Sequence, residues 1–200
     1  TSGSTNGCNS SFGGTITVNS NDTITVLTPT TVNQSVCLNA AIQPIVYNLG
    51  GGATGGTVTF NPIPIGITWA LSGGNTITIS GASSTTGTFN YTVTTTGGCP
   101  PATTTGTITV NPLPTIQISP LNPTICSGDF VTMTASGADT YNWDPFNGLS
   151  STTGATVIGT PSTNIIYTVT GTSIFGCVNS ASTQINVNPA PIFDVTPPFS

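Results

Sequence analysis

Residues 91–112 read YTVTTTGGCPPATTTGTITVNP, and residues 167–189 read YTVTGTSIFGCVNSASTQINVNP. Each stretch starts with an alternating run, passes through a glycine-bearing turn with one cysteine, and closes on Val-Asn-Pro. Alternating residues on both sides of a short turn are the pattern of a β-hairpin. Two copies of one hairpin predict a repeated all-β unit.

The repeat extends beyond the hairpin in both directions. Cys8 is followed by the run TITVN at residues 15–19, and the segment that follows Asn111 resembles the one that follows Asn188. Self-similarity of this kind is the signature of a tandem array. We therefore expect the following division: residues 1–19 as the C-terminal tail of a preceding module, 20–111 and 112–188 as whole modules, and 189–200 as the start of another.

Each whole module contains six or seven short strand patterns separated by Gly, Pro, Asn and Asp, which fits an immunoglobulin-type β-sandwich. The predicted strands of the first module are 23–27, 43–48, 57–60, 66–71, 75–80, 88–95 and 106–111. Those of the second are 115–119, 129–135, 140–144, 155–159, 164–171 and 181–188. The expected fold is all-β, with tandem immunoglobulin-like sandwiches in an extended array.

Composition excludes several classes of function. The 200 residues contain no Lys, Arg or His, and their net charge of −5 comes from five acidic residues, all Asp. Nucleic acids and anionic lipids are bound through cationic side chains, so neither is an expected partner. No apolar run is long enough to span a bilayer, so we expect no membrane insertion. Most general bases and metal ligands are missing, so we expect no catalysis, no cofactor and no metal.

The motifs of the second module resemble the Ig-like repeats of Bacteroidota surface proteins. They are TICSGD at 124–129, GADTYNW at 137–143, YTVT at 167–170 and Gly176-Cys177. The first module is similar to the PKD-like repeats found beside them, through GITW at 66–69, GNTITISG at 74–81 and GTFNYTVT at 87–94. The resemblance implies the stalk of a type IX-secreted cell-surface adhesin, of the kind that includes gliding-motility adhesins. Such repeats have no catalytic residues to transfer.

Five cysteines are spread along the chain without metal-site spacing. A reactive thiol needs a neighbouring cation, which this sequence lacks, so we expect disulfides formed in an oxidising, extracellular compartment. Spacing and repeat symmetry favour Cys37–Cys99 and Cys126–Cys177, with Cys8 unpaired within the 200 residues.

The aromatic and the acidic residues can each be interpreted as structural or as binding residues. Trp143 lies where a sandwich keeps its core tryptophan, whereas Trp69, Phe146 and Phe175 could form a glycan-binding surface. The Asp residues are interpreted as turn residues. A weak calcium site around Asp129 or Asp139 is the alternative.

Asp22-Thr23-Ile24 resembles the O-glycosylation sequon of Bacteroidota, which makes Thr23 a candidate glycosylation site; a strand start is the alternative. The leading functional hypothesis is a structural stalk or filament segment. Its expected partners are neighbouring modules of the same chain, and lateral or end-to-end copies in a fibre. The alternatives are a glycan- or protein-binding module, or an accessory region of an exported enzyme.

Overall fold

The computed structural model describes residues 20–190 and Gly13, and this part of the chain is built from β-strands with one 3-10 turn at Pro29–Thr31. The strands β1 to β15 are, in chain order, Thr23–Val26, Asn33–Cys37, Ile45–Gly50, Gly55–Asn61, Ile67–Ser72, Thr76–Gly81, Gly87–Thr96, Thr103–Asn111, Gln117–Ser119, Thr124–Cys126, Val131–Ser136, Thr140–Asp144, Thr156–Gly159, Ile165–Thr172 and Val178–Asn188. The predicted all-β class is confirmed.

These strands form two sandwiches. Strands β1 to β8 make the sheets β1-β3-β6-β5 and β2-β8-β7-β4, which we call the first sandwich. Strands β9 to β15 make the sheets β13-β11-β9 and β10-β15-β14-β12, the second sandwich. This division of strands between two facing sheets is that of the immunoglobulin fold. Each sandwich encloses its own hydrophobic cluster, from Ile42 to Val110 in the first and from Met133 to Ile185 in the second.

Period-2 alternation places the core residues. In β7, Phe89, Tyr91 and Val93 are buried, while Asn90 between them is exposed. Burial of such side chains contributes about 1.5–3 kcal/mol each. The turn between β5 and β6 has Gly73 and Gly74 at φ of 59° and 78°, a conformation that glycine adopts without steric penalty. The hairpin turn predicted for this glycine pair is present.

Every predicted strand overlaps an observed one, but two observed strands were not predicted. These are β2 and β10, which pair in parallel with β8 and β15, the last strands of their sandwiches. Both are short, with five and three residues, and their partners lie far along the chain. Local alternation therefore gives them no signal.

The predicted boundary at 111–112 falls in the segment between β8, which ends at Asn111, and β9, which begins at Gln117. The division into folding modules stays a prediction. The predicted tail at 1–19 and the predicted start at 189–200 lie outside the described residues, apart from Gly13, Pro189 and Ala190.

Candidate functional site

A disulfide joins the two sandwiches. Cys37 is the last residue of β2, and its partner Cys177 directly precedes β15, with their Cα atoms 5.5 Å apart. Cys177 is fully buried and Cys37 is half-buried. The bond thus connects the end of a strand in the first sandwich to the β14–β15 hairpin of the second.

This pairing corrects the prediction of Cys37–Cys99 and Cys126–Cys177. Cys37 lies opposite Asn111, at the end of β8, whereas Cys99 lies in the turn before β8 begins. A nine-residue strand such as β8 is roughly 30 Å long at about 3.3 Å per residue. A disulfide needs Cα atoms within about 7 Å. The predicted partners are therefore a strand length apart.

The second sandwich excludes its predicted pair for the same reason. Cys126 lies opposite Asn188, at the end of β15, and Cys177 lies before the start of that strand. Cys99 and Cys126 instead carry free thiols and are exposed. Cys8 lies outside the described residues.

Hydrogen bonds hold the linker at both ends. The side-chain amide of Asn111 donates to Ser35 Oγ at 2.7 Å and to the Val36 carbonyl at 3.3 Å. On the other side, the side-chain amide of Asn179 donates to the Pro114 carbonyl at 2.9 Å. Since Pro112 and Pro114 also restrict their own φ angles, the connection has little freedom around the disulfide.

The β14–β15 hairpin is shaped to present Cys177. The Cys177 N–H donates to Ser173 Oγ at 3.2 Å, and the Ser173 N–H donates to the Cys177 carbonyl at 2.9 Å. Gly171 lies so close to the linker that an added Cβ would be 2.3 Å from Ile116 Cδ1. The hairpin therefore packs on the linker at its stem and bonds to the first sandwich at its turn.

The aromatic candidates do not form one surface. Trp143 is buried and its indole N–H donates to the Gly154 carbonyl at 3.0 Å, so it is a core residue, as predicted. Trp69, 36% exposed on β5, lines a groove of about 570 Å³ with Phe60 and Ile63. Phe146 and Phe175 are exposed in loops of the second sandwich and do not line that groove.

The acidic candidates lie at the surface. Asp129, Asp139 and Asp144 are exposed, and the first two lie in turns. Within residues 20–190 no three His, Cys, Asp or Glu side chains are grouped so as to hold a metal ion. The alternative of a weak calcium site stays untested. Thr23 is exposed on β1, and its glycosylation also stays a prediction.

Sequence reasoning missed a buried carboxylate at Asp22. This residue is 7% exposed, and neither carboxylate oxygen has a hydrogen-bond partner in the described part of the chain. A Cβ at Gly98 would lie 1.7 Å from Asp22 Oδ1, so the carboxylate occupies space that a glycine leaves open. Position 22 gave no sequence signal of burial, because Asp before a strand is typical of an exposed turn.

Comparisons with known proteins give structural neighbours only. No family model matches the chain, and no curated protein matches it. An I-band fragment of titin aligns over 78% of this chain with a TM-score of 0.46 and 12% identity, and the chain spans 63% of that fragment. Titin Z1Z2 in complex with telethonin aligns over 88% of this chain and 100% of its own, with a TM-score of 0.39 and 12% identity.

Fibronectin(III)-like modules of Clostridium thermocellum CbhA align over 84% of this chain and 95% of theirs, with a TM-score of 0.36 and 12% identity. The immunoglobulin-like assignment rests on the strand order described above. Within the described residues, no helix has the length and apolar character needed to cross a membrane.

Proposed function

We propose that this chain is a stalk segment of a secreted cell-surface protein, in which a disulfide holds consecutive sandwiches in a fixed orientation. The observation that carries the proposal is the Cys37–Cys177 bond between the two sandwiches. Disulfides persist in oxidising compartments, which supports secretion. An adhesin of the Bacteroidota type is the specific form proposed, on the motif resemblance given above. The role is mechanical and needs no catalytic residue.

A fixed joint is what distinguishes a stalk from a flexible string of domains. Domains joined by a short linker move relative to each other unless a large apolar interface holds them. Here the Cys37–Cys177 bond joins the two sandwiches, and the hydrogen bond from Asn179 to the Pro114 carbonyl ties the linker to the second one. Stiffness therefore comes from a small number of specific contacts.

Backbone 15N relaxation on the full chain tests this proposal. In the oxidised protein, amides of both sandwiches should report one common rotational correlation time. In Cys37→Ser the two sandwiches should reorient separately, with shorter correlation times. Cys99→Ser removes an exposed free thiol and is the matched control, which should behave like the wild type. Separate reorientation in the oxidised wild type would refute the proposal.

Carbohydrate binding in the first sandwich is a second candidate function. It is favoured by the partly exposed Trp69 beside Ile63, which is 79% exposed, along one groove. Aromatic faces of this kind stack on sugar rings. Oligosaccharide titration should change the intrinsic tryptophan fluorescence of the wild type and leave that of Trp69→Ala unchanged. Equal spectra with and without sugar would rule out carbohydrate binding at this groove, and the stalk would remain as the proposed function.

A further inference from the structure

Cys126 occupies the same structural position in the second sandwich as Cys37 does in the first. Cys37 lies opposite Asn111 in the parallel β2–β8 pair, and Cys126 lies opposite Asn188 in the parallel β10–β15 pair. The N–H of the next residue donates to that Asn carbonyl in both cases, from Leu38 at 2.9 Å and from Ser127 at 2.8 Å. The two cysteines therefore share both their position in the sheet and the backbone hydrogen bond that follows them.

The hairpin cysteines also correspond. Cys177 precedes Asn188 by 11 residues and Cys99 precedes Asn111 by 12, each in or beside the turn that leads into the last strand of its sandwich. Each sandwich thus has a strand-end cysteine where its last strand ends, and a hairpin cysteine where that strand begins. At the junction, the strand-end cysteine of one sandwich bonds to the hairpin cysteine of the next.

We propose that Cys126 is the disulfide site for the hairpin cysteine of a third immunoglobulin-like sandwich that follows Asn188. The inference rests on the proposed disulfide-held stalk and extends its joint to the next module. Cys126 carries a free thiol, and the equivalent residue Cys37 forms this kind of bond in the same molecule. The sequence after Asn188, Pro-Ala-Pro, also repeats the Pro-Leu-Pro pattern of the first linker.

The surface around Cys126 is open. A groove of about 280 Å³ is lined by Cys126, Asp129, Phe130 and Asn188, among others, and Phe130 is 67% exposed. Cys126 is exposed, whereas Cys37 at the equivalent site is half-buried and bonded to the hairpin of the second sandwich. The occupant that fits is therefore another sandwich with a hairpin cysteine.

Bond formation requires a disulfide oxidant, for which a small-molecule disulfide such as oxidised glutathione suffices. The Cys126 thiolate attacks it and releases one glutathione thiol. The partner thiolate then attacks the mixed disulfide at Cys126 Sγ and releases the second. Two protein thiols lose two protons and two electrons, and one glutathione disulfide is reduced to two thiols.

The test uses the full chain with residues 112–188 duplicated in tandem, so that Asn188 is followed by the natural Pro-Leu-Pro linker. Cys126→Ser in the second copy leaves one Cys126 in the protein. After equilibration in a glutathione redox buffer, free thiols are alkylated and chymotryptic peptides are mapped without reduction. Chymotrypsin is used because the chain has no Lys or Arg at which trypsin could cleave. The two Cys177 peptides are distinguishable because different residues follow Asn188 in each copy.

The expected map contains Cys37 joined to Cys177 of the first copy and Cys126 joined to Cys177 of the second. Replacing the remaining Cys126 by Ser is the matched control, and it should convert the second Cys177 into a free, alkylated thiol. An intact Cys37–Cys177 bond with alkylated Cys126 would overturn this inference and leave the proposed stalk in place. Absence of the Cys37–Cys177 bond would overturn both.

Discussion

At the scale of single residues, Asp22 is a buried side chain of the first sandwich whose hydrogen-bonding capacity is unused. Its carboxylate is buried without a hydrogen-bond partner in the described part of the chain, and burying an unpaired charge is more costly than burying a neutral amide. Asp22→Asn should therefore raise the free energy of unfolding of the first sandwich by about 1 kcal/mol or more. Urea denaturation measures this, with Asp139→Asn, at an exposed turn, as the control. A loss of stability in Asp22→Asn would show that the carboxylate has a partner.

The buried tyrosines predict a response to alkaline pH. The hydroxyls of Tyr47 and Tyr91 are 2.8 Å apart, and Tyr91 donates to the Val32 carbonyl at 2.9 Å. Desolvation by burial raises the pKa of both, and the hydrogen bond with Tyr47 and its proximity raise the pKa of Tyr91 further. A raised folded pKa means that the fold favours the protonated form, so stability is lost as pH rises above the unfolded value of about 10.

Tyr91→Phe separates the hydrogen bond from this titration. At neutral pH the variant should be less stable by about 1 kcal/mol, since it lacks the hydroxyl that bonds to Val32. Between pH 10 and 11 it should lose less stability than the wild type, because one of the shifted groups is gone. Urea denaturation at pH 7, 10 and 11 gives both quantities. An equal loss in the two proteins over that interval would contradict the prediction.

At the scale of structural elements, prediction from sequence succeeded where the signal is local. The alternation in β7 and β14 appears in four consecutive residues, Tyr-Thr-Val-Thr, and both strands formed as predicted. Trp143 was placed correctly because its distance from Cys126 locates it on the strand where an immunoglobulin-type sandwich keeps its core tryptophan, which is β12 here. Strands β2 and β10 were not predicted, because they are short and pair in parallel with partners far along the sequence.

The wrong disulfide pairing has the same origin as the missed strands. Because each module has one cysteine near its start and one in its last hairpin, the two cysteines of a module were predicted to pair with each other. The parallel pairing of β2 with β8 places Cys37 at the end of the sandwich opposite to Cys99, and only the topology reveals this. The repeat itself contained the correct alternative, since a strand-end cysteine and the next hairpin cysteine meet at a joint between modules.

This pairing makes a prediction about the stability of each sandwich. While one sandwich stays folded, the Cys37–Cys177 bond closes a loop around the unfolded chain of the other, so it stabilises both. In the chain-entropy model, loops of several dozen residues give about 4 kcal/mol. Cys37→Ser should therefore lower the melting temperature of both sandwiches in calorimetry, whereas Cys99→Ser should lower neither. A lower melting temperature for the first sandwich alone would favour a bond within that sandwich.

At the scale of the whole molecule, the disulfide changes the path of mechanical load. Tension applied to the two ends of the chain passes from β2 through Cys37 to Cys177 and continues into β15. The two cysteines are 140 residues apart in sequence. All buried residues of the first core, and all of the second except Ile185, lie inside the closed ring of residues 37–177. A covalent bond thus bears the load in parallel with most of the folded structure.

Single-molecule force spectroscopy provides the measurement. The ring of 140 residues would extend by roughly 500 Å at about 3.5 Å per residue if it opened. The oxidised wild type should release only the chain outside the ring, so its extension should fall short of full unfolding by about that length. Cys37→Ser, or the wild type pulled in reductant, should extend fully in two large steps, one for each sandwich. Cys126→Ser, which keeps the ring, should give the short extension of the wild type. Two full-length steps from the oxidised wild type would show that the ring is open, and stalk stiffness would then have to come from the hydrogen-bonded linker alone.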